Sequence, residues 1–204
     1  MPDFGKTKQP VKLYPTLGCC GLDCGLCPRY YTAGNSRCPG CCGHGFFEKH
    51  PSCSFITCCV KKKSLEVCVQ CNEFPCSRFR DITGGKETHD SFTTWRKVMP
   101  NSEYIQEQGI EGFIEQQGKR IALLETMLKG FDDGRSKSYY CIAATLLPVS
   151  NIEASLHRAE QEVEISGISP DDAKARAKIL RGFLDECAKI KRIELKLRKK
   201  ETGQ

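Results

Sequence analysis

The stretch Cys20-Gly-Leu-Asp-Cys24-Gly-Leu-Cys27 opens a cysteine-rich segment that continues through Cys38-Pro-Gly-Cys41 and ends with Cys68-Val-Gln-Cys71-Asn-Glu-Phe-Pro-Cys76. Thirteen of the fifteen cysteines in the 204-residue chain lie between Cys19 and Cys76. A Cys-x-x-Cys turn places two thiolates on one side of a tight loop, and two such turns complete the tetrahedral coordination of a metal ion. The spacing therefore predicts metal–thiolate sites in this segment.

A disulfide framework is the alternative explanation for so many cysteines, and it requires an oxidising compartment. The first ten residues contain no apolar stretch of signal-peptide length, and no segment approaches the roughly 18 apolar residues of a membrane span. The odd cysteine total and adjacent pairs such as Cys58-Cys59 also fit a disulfide ladder poorly. We therefore expect a cytoplasmic protein with reduced thiols and no membrane contact.

The composition changes near residue 90. Residues 1–90 are rich in Cys, Gly and Pro and lack a sustained apolar period, so metal ligation, which contributes on the order of 10 kcal/mol in zinc-finger peptides, must hold their fold. Residues 91–204 have the periodicity of amphipathic helices. The sequence predicts an α protein with an irregular metal-binding segment: a zinc-ribbon or knuckle-like, cysteine-rich module at residues 1–90, packed on an all-helical bundle at residues 91–204.

Four helices are predicted in the second half from apolar spacing and capping residues. They are a helix from Asn101 or Ser102 to a C-cap at Gly130, a helix from Ser136 to Leu147, a helix opened by the capping box Ser150 and Glu153 and closed at Gly167, and a long helix begun by Ser169-Pro-Asp-Asp172. The apolar stripe of the last helix consists of Ala177, Leu180, Leu184, Cys187, Ile190, Ile193 and Leu197. Such a stripe is expected to dock on the other helices or on a partner.

The end of the last predicted helix is basic. From Cys187 to the C-terminus, seven basic residues stand against two acidic ones. Positive charge of this density attracts phosphates and acidic surfaces, so the basic C-terminal helix at residues 187–200 is a candidate contact for nucleic acid or a protein partner. The alternative is a solvated helix end whose basic side chains are favoured by the helix dipole.

Spacing allocates most of the cysteines to two sites. The first takes both early turns, and the second takes the third turn with the segment before it; the ligands are Cys24, Cys27, Cys38 and Cys41 for the first site, and Cys68, Cys71, Cys53 and one of Cys58 or Cys59 for the second. Cys20 and Cys76 are left over, and they either replace one of these ligands or belong to a third site. His44 is a candidate nitrogen ligand, although an exposed turn histidine is the simpler interpretation.

Zinc and iron–sulfur clusters both use thiolate ligands in tetrahedral arrangement. The Cys-Pro-Gly-Cys turn and the absence of ferredoxin spacing favour two or more zinc ions. Two [4Fe-4S] clusters, with four cysteines each, are the alternative. Cys20, Cys24 and Cys27 also have the spacing of the radical-enzyme motif, but the sequence after them lacks the repeated strand and helix units of that barrel.

The order of these motifs resembles a known family. Cys20-Gly-Leu-Asp-Cys24-Gly-Leu-Cys27, Cys38-Pro-Gly-Cys41 and Cys68-Val-Gln-Cys71-Asn-Glu-Phe-Pro-Cys76 are similar to the cysteine-rich bacterial and archaeal proteins catalogued as domain of unknown function 3795. The resemblance covers roughly residues 17–80. It implies a prokaryotic cytosolic protein with a metal-binding cysteine module, and it supplies no activity.

The case for catalysis is thin, because an excess of cysteines over sites favours closed, structural metal sites. Arg135, Lys137 and Cys141 form a candidate anion site at a helix start, and the competing interpretation is capping by Ser136 with Cys141 buried. The sequence thus predicts no catalytic residue. It predicts a metal-binding protein with structural thiolate sites that acts as an interaction module, with an iron–sulfur redox or electron-transfer protein as the alternative.

Overall fold

The computed structural model describes residues 10–83 and 89–199, which are mostly helical and contain no β-strand. The α-helices are α1 (Phe46–Lys49), α2 (Arg80–Thr83), α3 (Val98–Phe131), α4 (Lys137–Leu146), α5 (Val149–Ile165) and α6 (Ala173–Lys191). A π-helix spans Ile56–Lys62, and short 3₁₀ turns span Cys24–Leu26, Gly34–Ser36, Cys68–Gln70, Ser77–Phe79 and Trp95–Lys97. The predicted helical C-terminal part is confirmed. Residues 1–9, 84–88 and 200–204, which the predicted boundaries include, lie outside the described residues.

Helices α3 to α6 form a bundle with an apolar core. α5 packs along α6, and α3 contacts each of the other three helices. The largest fully buried side chains of this core are Leu124, Met127, Phe131, Tyr140, Leu147, Ile152, Leu180 and Leu184. Each buried aliphatic side chain of this size contributes roughly 1.5–3 kcal/mol. Within residues 10–83 and 89–199, none of the helices has the length and apolar character needed to cross a membrane.

Helix α3 is interrupted once, at Gly109, whose φ of 76° and ψ of 171° are non-helical. Residues with a Cβ rarely adopt this conformation, so glycine is required at the break. Before the break, Ile105 packs with Leu17 and Val67 of the cysteine-rich segment. After it, Leu124 enters the bundle core. One helix therefore contacts both halves of the chain.

Several helix ends differ from their predicted positions. α3 begins at Val98, directly after a 3₁₀ turn, and continues through Gly130 to Phe131. The predicted capping box at Ser150 is wrong, because α5 begins after Pro148 without a side-chain cap. The predicted cap at Ser169 is also wrong. The carboxylate of Asp172 takes that role and accepts a hydrogen bond from the amide of Ala175 at 3.0 Å.

The last helix ends earlier than its apolar stripe predicts. Arg192 adopts a left-handed conformation with φ of 55°, and α6 ends at Lys191. The chain then turns back, and the guanidinium of Arg96 donates a 2.8 Å hydrogen bond to the carbonyl oxygen of Glu194. The prediction of a basic helix over residues 187–200 is therefore wrong beyond Lys191, and its final residue lies outside the described part of the chain.

An ion pair fastens the returning segment. Nη2 of Arg198 lies 3.0 Å from Oδ1 of Asp90, and the amide of Trp95 donates to the same oxygen at 2.9 Å. Burial alone would raise the pKa of Asp90, but these hydrogen bonds outweigh it and hold the pKa below the ordinary aspartate value. Arg198, which belongs to the predicted nucleic-acid contact, is thus engaged within the protein.

The 3₁₀ turn Cys24–Leu26 inserts into the bundle. Leu26 is 1% exposed and belongs to the same core cluster as Leu124. Asp23, the residue directly before this turn, is buried and accepts a 3.0 Å hydrogen bond from Nε2 of Gln117 on α3. The first cysteine turn is therefore held by apolar packing and by a buried polar contact.

Candidate metal centre

Five thiols converge at one buried position. The thiol of Cys19 has the thiols of Cys41, Cys53, Cys59 and Cys68 as its neighbours, and we call these five residues the inner thiol cluster. Cys19 is 1% exposed and Cys59 is 2% exposed, whereas Cys53 lies at the exposed edge. Most of the cluster is therefore shielded from water.

Backbone contacts bring these cysteines together. The amide of Cys68 donates to the carbonyl oxygen of Cys19 at 2.7 Å, and the amide of Cys19 donates to the sulfur of Cys41 at 3.4 Å. The turn that delivers Cys41 depends on Gly40, where φ is 86° and a Cβ would lie 2.4 Å from the carbonyl oxygen of Pro15. Glycine is therefore needed in the Cys-Pro-Gly-Cys turn to place Cys41 against Cys19.

The π-helix Ile56–Lys62 separates two adjacent cysteines. Cys59 is buried in the inner cluster, whereas Cys58 is half-buried and lines a cleft that Cys59 also borders. Just before this helix, the amide of Ile56 donates to the sulfur of Cys53 at 3.5 Å. Because consecutive helical residues point in different directions, the pair Cys58-Cys59 serves two groups of thiols.

Hydrogen bonds make three of the inner thiols better acids. The bond from Cys19 outweighs burial and lowers the pKa of Cys53 to about 6. The same donor lowers the pKa of Cys41 and of Cys59 below the ordinary thiol value, and the charge of Lys12 adds to this effect. Cys19 itself, bonded to all of them, has its pKa raised. The cluster therefore favours thiolate character in Cys41, Cys53 and Cys59.

A buried lysine lies beside the inner cluster. Lys12 is 5% exposed, and its ammonium donates to the carbonyl oxygen of Leu17. Its Nζ is 3.7 Å from Oε1 of Glu66, and the Glu66 carboxylate also accepts hydrogen bonds from the amides of Leu13 and Tyr14. A buried ammonium is costly unless negative charge lies close to it.

A second group of thiols lines a cleft that opens to solvent. Cys58, Cys71 and Cys76, which we call the outer thiols, line it together with Cys59 and Cys68 of the inner cluster. The cavity within the cleft is about 20 Å³, enough for one water-sized occupant. The two groups of thiols are thus adjacent.

Two basic side chains face the outer thiols. Nζ of Lys63 donates to the sulfur of Cys71 at 2.9 Å and to Oε1 of Glu73 at 2.8 Å. Nη1 of Arg78 lies 4.0 Å from the sulfur of Cys76. The hydrogen bond from Lys63 lowers the pKa of Cys71. Both bases are therefore placed to offset negative charge on sulfur.

The predicted allocation of ligands differs from the observed grouping. Of the first predicted set, Cys41 lies in the inner cluster. The charge of Cys38 contributes to raising the pKa of Cys27. Burial raises the pKa of Cys24, and the charges of Cys41 and Cys27 add to this effect. The second predicted set is divided: the inner members are Cys53, Cys59 and Cys68, and the outer members are Cys58 and Cys71. Cys20 is buried, and burial raises its pKa to about 12. His44 is exposed.

Sequence reasoning missed Cys19 and Lys12. The adjacent pair Cys19-Cys20 was the available signal for Cys19, since the Cys-x-x-Cys spacing does not include it. No local motif marks Lys12. At the candidate anion site, Cys141 is 2% exposed and burial raises its pKa to about 12, so its predicted burial is confirmed. The predicted cap is wrong, because Ser136 makes no side-chain capping hydrogen bond.

Within residues 10–83 and 89–199, no group of three or more His, Cys, Asp or Glu side chains is already arranged to hold a metal ion. Comparisons with protein-family models, with curated proteins and with solved structures found no match for this chain. Any function must therefore be argued from the chemistry of the thiols and the groups around them.

Proposed function

We propose that this chain is a metal–thiolate protein in which the inner thiol cluster binds zinc as a structural centre. The observation that carries the proposal is the buried ammonium of Lys12 close to Cys41 and Cys59. Four thiolates around one zinc ion retain net negative charge, which a neighbouring buried cation offsets. With neutral thiols, the counter-charge of Lys12 would be the shared carboxylate of Glu66 at 3.7 Å.

Close packing of the inner cysteines favours zinc over an iron–sulfur cluster. Zinc binds sulfur at about 2.3 Å, which sets neighbouring sulfurs of a tetrahedral site roughly 3.8 Å apart, a separation that packed thiols reach. A [4Fe-4S] cluster fills the space between its four thiolates and holds their sulfurs farther apart. Binding of zinc would replace the thiol–thiol hydrogen bonds with metal–sulfur bonds and release the thiol protons.

The proposed role of the metal is to complete a core that apolar side chains alone do not fill. The buried residues around the site are Cys19, Cys41, Cys42, Cys59, Phe46, Ile56 and Val60. More than half of this core is cysteine, so metal ligation would supply most of its folding free energy. Such ligation contributes on the order of 10 kcal/mol in small zinc domains. Membership of the family of domain of unknown function 3795, and action as an interaction module, stay predictions.

Metal analysis and a visible spectrum of protein purified without oxygen test the proposal. We expect bound zinc and no visible absorption. Lys12→Met should bind zinc at least about tenfold more weakly in competition with a chelator, a change of roughly 1.4 kcal/mol. The exposed Lys119→Met is the matched control and should bind zinc as the unaltered chain does.

Folded protein that contains no metal, and takes up none, would overturn the proposal. Iron with matching sulfide and a broad visible band would replace zinc by the iron–sulfur alternative. If Lys12→Met does not fold, Cys41→Ser/Cys59→Ser provides a second test, because it keeps Lys12 and leaves three inner thiols, fewer than the four that a structural zinc site requires. It should lose zinc and retain the helical circular dichroism of the bundle.

A further inference from the structure

We propose that the outer thiols form a second metal site that shares Cys68 with the inner cluster, so that the protein holds a two-metal thiolate centre with one buried and one exchangeable ion. This inference rests on the proposed function, because the shared sulfur is also an inner ligand. The class of ligand is a thiophilic divalent cation such as Zn²⁺ or Cd²⁺.

The cleft supplies the required number of sulfur ligands. Cys58 comes from the π-helix, Cys71 and Cys76 come from the ends of two different 3₁₀ turns, and all three line one cavity of about 20 Å³. Cys68 lines the same cavity and provides the fourth sulfur. Four sulfur ligands around a space of this size match the coordination number of zinc.

Cys68 occupies the boundary between the two groups. On the inner side, Cys68 packs against the buried cluster that contains Cys19 and Cys59, and its amide donates to the carbonyl oxygen of Cys19 at 2.7 Å. On the other side, the residue lines the outer cleft. A thiolate sulfur has lone pairs for two metal ions, so Cys68 is placed to bridge them. Cys59 also borders both groups.

The surrounding charges support a second cation–thiolate unit. The eight thiols of the two groups, as thiolates with two divalent ions, retain net negative charge, and the bases Lys12, Lys63 and Arg78 lie around them. The carboxylate of Glu73, which lines the same cleft, accepts a 2.8 Å hydrogen bond from Lys63. Lys63 and Arg78 thus offset negative charge on the outer thiols, as Lys12 does at the inner cluster.

The two sites differ in access to solvent, which decides how their metals exchange. Cys19 and Cys59 are almost fully buried, whereas Cys58, Cys71 and Cys76 are only partly buried. A chelator can approach the outer ion directly, but it reaches the inner ion only after local opening. The outer metal should therefore leave first.

Reconstitution with Cd²⁺, followed by measurement of cadmium per chain and of its release to a chelator, tests the inference. We expect two ions in the unaltered chain, one released at least tenfold faster than the other. The double variant Cys71→Ser/Cys76→Ser should hold one ion, released at the slow rate. Cys187→Ser on α6, far from these thiols in the sequence, is the control and should hold two.

One ion in the unaltered chain, or two ions with unchanged release in the double variant, would overturn the second site while leaving the inner centre intact. No ion at all would overturn both proposals. If the double variant loses its fold by circular dichroism, Lys63→Met/Arg78→Met keeps every thiol and replaces it as the test. That variant should release the outer ion faster and the inner ion at the original rate; equal rates with the unaltered chain would contradict the inference.

Discussion

The side-chain amide of Asn101, on α3, donates a 2.8 Å hydrogen bond to the carboxylate of Asp23, which directly precedes the first cysteine turn. The same amide donates to the carbonyl oxygen of Gly21 at 2.9 Å. Asp23 is 5% exposed, and its carboxylate also accepts a 3.0 Å hydrogen bond from Gln117. The contact joins residues 78 positions apart and links the cysteine-rich segment to the helical half.

Replacing Asn101 with leucine should destabilise the protein by about 1.5–3 kcal/mol, because a buried carboxylate loses a donor to its charged form. Urea unfolding followed by circular dichroism measures the change. Asn72→Leu, at an exposed position, is the matched control and should change stability little. Equal unfolding midpoints for the unaltered chain and the Asn101 variant would contradict this role.

Gly40→Ala should disrupt the inner cluster, since the new Cβ would collide with the carbonyl oxygen of Pro15 and move Cys41. We expect a loss of several-fold or more in zinc affinity, measured by chelator competition, and a lower melting temperature. Gly34→Ala is a matched control, because its φ is also positive, at 70°, but a Cβ there meets nothing within 4 Å. If both variants bind zinc equally well, the steric argument fails.

The stability of the protein should depend on the charge of Asp90 at acid pH. The folded-state pKa of Asp90 is depressed, so its stabilising contribution is present above the unfolded aspartate pKa of about 3.9 and is lost as the pH falls through the folded value. Asp90→Asn should therefore flatten the loss of stability below about pH 4. Denaturant unfolding across this range measures it, with the exposed Asp81→Asn as control; parallel pH curves for Asp90→Asn and the unaltered chain would exclude the contribution.

Removal of metal should loosen the cysteine-rich segment while the bundle stays folded. The inner core is built largely of cysteine, whereas the bundle core is apolar. Hydrogen exchange after treatment with a chelator should show lost protection at the amide of Cys68, and retained protection in α5 and α6. Uniform loss of protection in both regions would mean that the two halves unfold as one unit.

The helices of the C-terminal half were predictable because they depend on local sequence features, namely the spacing of apolar residues and the positions of prolines. The spacing of Leu180 and Leu184 identifies α6, and Pro148 limits the preceding helix. The end of α6 was not predictable in this way, because Ile193 continues the apolar period although Arg192 has already left the helix. The return of the chain depends on Arg96, about a hundred positions away in the sequence.

The candidate site was predictable in composition but not in grouping. Cys-x-x-Cys spacing identifies turns, yet contact between Cys19 and Cys59 depends on how distant turns pack. Two further features could not be predicted for the same reason. Lys12 belongs to no sequence motif, and the π-helix that turns Cys59 inward has no established signal in its sequence. Periodicity reports which face of a helix is buried, and the cysteine-rich segment has too little regular structure for that information to apply.

The position of Leu26 makes the bundle structurally dependent on the cysteine turn. Since this side chain fills part of the apolar interior next to Leu124, a shortened protein starting at residue 91 would expose an apolar cavity at its surface. We expect such a protein to self-associate at concentrations where the full chain remains monomeric. Light scattering of the two proteins would measure the difference, and equal scattering would mean that the helices rearrange to close the cavity. The first cysteine turn thus completes the apolar core of the bundle.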